Sequence, residues 1–276
     1  MLGDAVERIR FIEGDLADYH SLESAIEDSS PNVVVHLAAL SPVRLSFEDP
    51  FPFIRVNFLG TCNLIHALLE RAPRTRLVAA TSAEVYGWQG NEPISEGAPL
   101  HPSSPYGVSK AAADAYLQMA MRVYGLKATV LRCNNTYGRR GESRFFVEYV
   151  ISSMLKGDPT YVGAPASVRD YMYIDDHLSA YVLAIERSAA DGNVFNVSPG
   201  NPVSNIEVAK RIAKMLGARS RIVEGSYPPG YPRRPGTVDT DYIVLESSAI
   251  RSKLGWKPTV TLDEGLKKTI ELWKSV

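Results

Sequence analysis

Apolar positions along the chain follow two periods, and the switches between them mark elements. Residues 8–13, within VERIRFIEGD, read as a short strand ending near Glu13. LADYHSLESAIEDSS follows with Leu22 and Ile26 one turn apart, the spacing of an amphipathic helix. PNVVVHLAA is a nearly continuous apolar run, which suits a strand buried on both faces of a parallel sheet. VNFLGTCNLIHALLERA returns to helical spacing through Leu64, Ile65, Leu68 and Leu69. RLVAATSAEVYG reads as a strand running into a loop, and PYGVSKAAADAYLQMAMRVYG as a helix with Pro105 in its first turn and Gly125 at its stop. KATVLRCNNTYG is again a strand, VEYVISSMLKG a helix, RDYMYIDDHLSAYVLAIERS a strand edge and helix, and GNVFNVSP a strand. Strand–helix alternation of this kind predicts an α/β domain with a parallel sheet.

After Pro199 the texture changes. NIEVAKRIAKMLG is a helix, YPPGYPRRPG a proline- and glycine-rich loop, LESSAIRSKLG a short helix, and TLDEGLKKTIELWKSV a last helix reached through WKPTV. This tail reads as a smaller lobe on the carboxyl ends of the strands, where open α/β sheets bind ligands. The expected division is 1–140 with 168–198 for the sheet domain, and 141–167 with 199–276 for the smaller lobe.

Composition narrows the function without naming it. The 276 residues are 45% hydrophobic and 22% charged, with a net charge of −1. No basic stripe points to nucleic acid, and no apolar run approaches the roughly 20 residues that span a bilayer. The N-terminus is too charged for a secretory signal. Two cysteines, Cys62 and Cys133, read as reduced and packed, in keeping with a cytoplasmic protein. The five histidines, His20, His36, His66, His101 and His177, show no metal-ligand spacing.

The chemistry concentrates in SSPYGVSK. Tyr106 and Lys110 lie one helical turn apart on one face. A free phenol, with a pKa of about 10, is protonated at neutral pH. A neighbouring ammonium would favour phenolate and make Tyr106 a general base for a sugar hydroxyl, with Lys110 free to donate to a ribose. Upstream, TSAEVYG brings the Ser82 hydroxyl and the Glu84 carboxylate to a strand end. EGDL puts Asp15 at another strand end, where it can accept from an adenine amine. HLAA offers small Ala38 and Ala39 for close cofactor passage, and Asn57 opens the next helix, where its ordinary role would be an N-cap.

EGDL, HLAA, VNFLGT, TSAEVYG, SPYGVSK, LRCNNTYG, VRDYMYIDD and RPG…KLGWKP, in this order, resemble the extended short-chain dehydrogenase/reductase family, specifically its NAD-dependent nucleotide-sugar epimerases and dehydratases. The resemblance implies a Rossmann-like doubly wound sheet with a smaller C-terminal substrate lobe. It implies Ser82, Tyr106 and Lys110 as the catalytic triad. Asp15, Leu16, Leu37, Ala38, Ala39 and Asn57 would lie near NAD, with Tyr106, Lys110 and the backbone of Cys133 at the nicotinamide end. Asn135, Arg169 and Arg234 would hold the nucleotide-sugar, and arginine's planar fork suits a diphosphate. Glu84 occupies the place where dehydratases and some decarboxylases of the family carry a catalytic glutamate. Ala83 stands where one dehydratase branch carries an aspartate acid. The implied activity is oxidation of the sugar at C4, leaning to 4,6-dehydratase, with 4-epimerase as the alternative and reductases or decarboxylases behind. Family members pair as homodimers through a four-helix bundle, here the helices at 56–71 and 106–124. Leu64, Ile65 and Leu68 on one, and Ala111, Ala115 and Met119 on the other, are the apolar or small residues available for such pairing.

The family's opening strand, glycine-rich turn, helix and second strand have no counterpart in this sequence. That turn lets backbone approach the pyrophosphate, and the helix after it stabilises the charge. Its first two strands fill the middle of the sheet, so the strand at 8–13 would stand apart from VVVHLAA across a gap with an apolar edge. Either Met1 is an internal start and the natural polypeptide carries about 45 more residues, the length of such a unit, or the edge is covered by rearrangement or another subunit. The first is favoured. An NAD-free, non-catalytic binding or scaffold relative is the alternative of another class.

Overall fold

The computed structural model describes residues 7–231 and 242–275. Four parallel strands, Val33–His36, Arg76–Ser82, Ala128–Cys133 and Asn193–Val197, form the main sheet in sequence order. Ser82 pairs with Cys133, and Cys133 with Val197, so the carboxyl ends of three strands finish level. Helices flank the sheet. Val78, Leu131, Phe195 and Val197 meet Ala180, Ala184, Ile250 and Trp256 in one core on one side. Leu77, Ala79 and Val130 meet Leu64, Ile65, Leu68 and Leu117 in another. Leu64, Ile65 and Leu68 are therefore buried in the subunit's own core. Ala115 and Val108 on the neighbouring helix are exposed.

A third core joins helices Phe146–Lys156, Asn205–Leu216 and Leu262–Lys274 through Val150, Ile151, Val208, Ile212, Leu266 and Ile270. Short strand pairs border it: Thr160–Val162 with Ile222–Glu224, and Val168–Arg169 between Tyr242–Ile243 and Val203–Ser204. The last helix begins at a capping box between Thr261 and Glu264. The segment before it does not belong to this lobe alone, because Trp256 is buried in the sheet's core and donates through Nε1 to Asp176 O at 3.1 Å. Among the described residues no helix is long and apolar enough to cross a membrane.

The strand expected at 8–13 does not form. Residues 9–15 carry no regular structure, and Phe11 is 76% exposed. A strand is defined by the neighbour that accepts and donates its backbone bonds, and no described strand lies beside this segment. Asp15 is accordingly in a loop, not at a strand end. Val33–His36 is the edge of the sheet, and Leu37 just beyond it is 58% exposed.

Candidate active site

The helix Pro105–Val123 begins where the chemistry is needed. Ser104 caps it by accepting from Gly107 N at 2.9 Å, and Pro105 occupies the first turn. Gly107 is required by close approach: a Cβ there would stand 2.8 Å from the carbonyl oxygen of Glu84. The helix is pinned to the sheet by a buried ion pair in which Arg132 donates from Nε and Nη2 to the two carboxylate oxygens of Asp114, at 2.9 and 2.7 Å. Thr81 also donates to Asp114, and Arg132 donates to Tyr86 Oη, which itself donates to Asn196. A paired, fully hydrogen-bonded charge tolerates burial that a lone one would not. This network holds two strand ends and the Tyr106 helix in fixed relation.

Ser82, Glu84, Tyr106, Cys133 and Asn135 line one cavity of about 220 Å³ at the carboxyl ends of the strands. Ser82 ends its strand, and its hydroxyl accepts from Glu84 N at 3.2 Å, starting the short turn Ala83–Val85 that carries Glu84 inward. Tyr106 is 8% exposed and meets the ring of Phe53 edge-on at 6.4 Å. Ala83 is buried and supplies no acid at its position.

In the structure the Lys110 ammonium donates to Ala80 O at 2.7 Å. Burial pushes the Tyr106 phenol up to about 12, with the Ser82 hydroxyl pulling against it and Glu84 adding to it. Burial likewise pulls the Lys110 ammonium down to about 8, with Cys133 and Asp114 opposing. In both groups burial is the largest cause of the shift. The Cys133 thiol is raised by burial to about 12, so it is no nucleophile.

A second cavity of about 270 Å³ adjoins the first, sharing Glu84, Asn135 and Tyr171. Arg169 lines it and donates to Val168 O at 2.8 Å. Arg234 lies outside the described residues. Asp15, Leu16, Leu37, Ala38, Ala39 and Asn57 line neither cavity. Asp15 accepts from Ala17 N at 2.8 Å, and Leu16 packs so closely on Gly60 that a Cβ there would lie 2.7 Å away. Leu37 and Ala38 are exposed at the strand end. Asn57 is no N-cap. It sits in the π-helical turn Ile54–Leu59, where its amide bonds both backbone groups of Leu40 and donates to Ser109 Oγ at 2.9 Å. It ties the loop after the first strand to the Tyr106 helix.

Several site residues escaped the sequence reading. Arg44 stacks over Tyr227 and Tyr231, 4.0 and 4.7 Å from their centroids, at the rim of the second cavity. The aromatic pair in YPPGY was the available signal. Glu148 and His177 line the first cavity. Nothing local marks Glu148, while His177 stood one position beyond the paired aspartates of VRDYMYIDD.

Known proteins share this arrangement along nearly the whole chain. A dTDP-glucose 4,6-dehydratase of Haemophilus influenzae is 32% identical over 281 residues, covering 96% of this chain and 82% of the relative. The UDP-glucose 4-epimerase of Thermotoga maritima, solved with UDP-glucose, superposes with a TM-score of 0.87 at 30% identity, over 98% of this chain and 87% of that one. DesIV, the dTDP-glucose 4,6-dehydratase of Streptomyces venezuelae solved with NAD and TYD bound, gives 0.88 at 28% identity, over 99% and 82%. The family model for GDP-mannose 4,6 dehydratase matches residues 3–269. With the serine, tyrosine and lysine of the sequence motif gathered at the strand ends and the match running almost from end to end, the chain belongs to the GDP-mannose 4,6 dehydratase family of extended short-chain dehydrogenases/reductases.

Proposed function

We propose that the protein is an NAD-dependent nucleotide-sugar 4,6-dehydratase. The observation that carries this reading is the convergence of Ser82, Glu84 and Tyr106 on one cavity, with Glu84 at its junction with a second, larger one. The sugar would occupy the first cavity and the nucleotide diphosphate the second, where Arg169 supplies charge and Asn135 reaches both. The lobe around helices 146–156, 205–216 and 262–274 would then be the nucleotide-sugar side, and the main sheet the cofactor side.

The residues fit NAD in part. At the nicotinamide end, Tyr106 lines the first cavity and Lys110 follows one turn later on the same helix, and small Ala38 is exposed beyond the edge strand. The adenosine half would be held by Asp15, Leu16 and the Leu37–Ala39 run, with no glycine-rich phosphate turn among the described residues. Bound NAD supplies the hydride acceptor for oxidation at C4. Tyr106 takes the proton from the C4 hydroxyl, and Ser82 holds that oxygen. For this the phenol must fall from about 12, so Lys110 must trade Ala80 O for a place nearer the phenol or a ribose. Glu84 then removes the C5 proton and delivers a proton to the C6 hydroxyl, which leaves as water. The hydride taken from C4 returns to C6 and a proton to C5, so the product is a 4-keto-6-deoxy sugar with no net change of oxidation state. With alanine at 83, one carboxyl does both jobs, which is economical only if the C5 and C6 groups lie on its side of the ring.

The same alanine favours the second reading, a 4-epimerase, in which the keto sugar rotates and nothing is eliminated. Incubation with UDP-, dTDP-, GDP- and CDP-sugars plus NAD separates them. Loss of water supports the dehydratase, and unchanged mass with altered retention replaces it by the epimerase. Calorimetric titration with NAD addresses the scaffold alternative, which micromolar binding excludes. We also read the protein as a cytoplasmic homodimer. Exposed Val108 and Ala115 support pairing through the Tyr106 helix, and free Cys62 and Cys133 suit a reducing compartment. Light scattering that returns a monomer at micromolar concentration would refute the pairing.

A further inference from the structure

Two polar atoms at the catalytic cavity have no partner among the described residues: Glu148 Oε2 and His177 Nε2. Both residues line the cavity that holds Ser82 and Tyr106, and both atoms are out of reach of bulk water. Their other polar atoms are fixed to a single turn. Glu148 Oε1 accepts from Gly138 N and Arg139 N at 3.0 and 3.1 Å and stands 3.4 Å from the Arg139 guanidinium. His177 Nδ1 lies 2.8 Å from Thr136 Oγ1. Neither side chain can turn to satisfy its free atom without breaking a bond to residues 136–139. Leaving a buried polar atom unpaired is costly, and here two such atoms belong to residues lining one cavity.

The chemistry of the pair selects its ligand. A carboxylate with Arg139 beside it is an acceptor. The imidazole, which burial first and Arg139 second keep neutral, accepts or donates at Nε2 according to which way the Thr136 hydroxyl points. Hydroxyl groups serve both atoms; a phosphate or carboxylate would be repelled by Glu148. We propose that Glu148 and His177, carried on the helices Phe146–Lys156 and Ile174–Glu186 and braced against the 136–139 turn, form a subsite that grips ring hydroxyls of the sugar and sets its orientation toward Ser82 and Tyr106. The inference rests on the nucleotide-sugar reading and adds to it two positioning residues for the sugar.

Histidine has isosteres that divide its two nitrogens. Asparagine can replace Nδ1 and keep the Thr136 contact. Glutamine can reach the place of Nε2. Wild type, His177→Asn, His177→Gln and Glu148→Gln are titrated calorimetrically, in the presence of NAD, with dTDP-glucose and with dTDP, after thermal melts confirm folding. If wild type prefers another nucleotide, its sugar and its diphosphate are used. The subsite requires His177→Asn and Glu148→Gln to weaken sugar-nucleotide binding roughly tenfold, His177→Gln to stay near wild type, and diphosphate binding to be unchanged throughout. If Glu148→Gln does not fold, the histidine pair decides alone. Tolerance of asparagine with impairment by glutamine makes His177 a strut for Thr136 and overturns the proposal. Unchanged affinity in every variant leaves only a trapped water at the subsite and also overturns it. If wild type binds none of the UDP-, dTDP-, GDP- or CDP-sugars, the nucleotide-sugar reading falls and this inference falls with it.

Discussion

Tyr106 is kept protonated by the same burial that shapes its cavity, and Lys110 bears the complementary cost. The ammonium's folded pKa of about 8 lies below the ordinary 10.5. Between those values the unfolded chain binds more protons, so this group makes stability rise with pH across that window. At pH 7 both states carry the charge, and the fold bears a penalty of about 3 kcal/mol for the 2.5-unit shift, offset by the bond to Ala80 O. Lys110→Met should therefore stabilise the ligand-free protein at pH 7 by about 1–2 kcal/mol while abolishing turnover. Urea denaturation at pH 7 and 9.5 checks this: the variant should lose the wild-type gain between them, and a destabilised variant would mean that the Ala80 bond outweighs desolvation. Glu84 offers a second test. Glu84→Gln should still oxidise the sugar, seen as the absorbance of reduced cofactor, but eliminate water about 10²- to 10⁴-fold more slowly. Normal elimination with glutamine would remove Glu84 from the mechanism.

Elements tolerate less freedom than residues, and Gly107 shows where. An added Cβ would press at 2.8 Å on the backbone oxygen of Glu84, which cannot swing aside as a side chain could. Gly107→Ala should cost about 1–3 kcal/mol and lower turnover, because the turn carrying Glu84 must shift. Gly97→Ala, where a Cβ meets nothing within 4 Å, should stay within about 0.5 kcal/mol in the same melts. The strands at 76–82, 128–133 and 193–197 were legible because burial writes a largely apolar run, the edge strand at 33–36 because its three valines favour extended backbone although Val35 is 36% exposed, and the Tyr106 helix because Pro105 marks its start. Residues 8–13 carry equally apolar Ile9, Phe11 and Ile12, but a strand needs a neighbour, which no local pattern reports. The Asp114–Arg132 pair and the Glu148–His177 turn were illegible for the same reason. Their members are separated by 18 and 29 positions, and only tertiary packing turns ordinary surface residue types into buried partners. The residues proposed for catalysis were legible because their spacing falls within one turn or one strand end; the Lys110 bond to Ala80 O was not, because Ala80 comes from another element.

The molecule as a whole inherits an acid limit from two buried histidines. His36 is 6% exposed, with Nε2 2.9 Å from Thr61 Oγ1, and burial, then Lys110, pulls it down to about 4. His177 falls to about 4 through burial, then Arg139. In the unfolded chain each returns to about 6.5. The unfolded state therefore binds more protons between these values, and the stability each contributes is present above pH 6.5 and lost as pH falls toward 4. At pH 5 the loss should be about 2 kcal/mol per histidine, a large share of the stability of an ordinary domain. Asp170 works in the opposite direction, since burial raises its carboxyl above the ordinary 3.8 and lets the folded state take up a proton first as pH falls. Denaturant midpoints measured from pH 7 to 5 should fall steeply in wild type and about half as steeply in His36→Gln, which preserves a polar group toward Thr61 without a titrating nitrogen. Equal slopes would mean that His36 charges inside the fold, with Lys110 close by and no carboxylate among the partners that shift it, and the acid limit would then have to come from other groups.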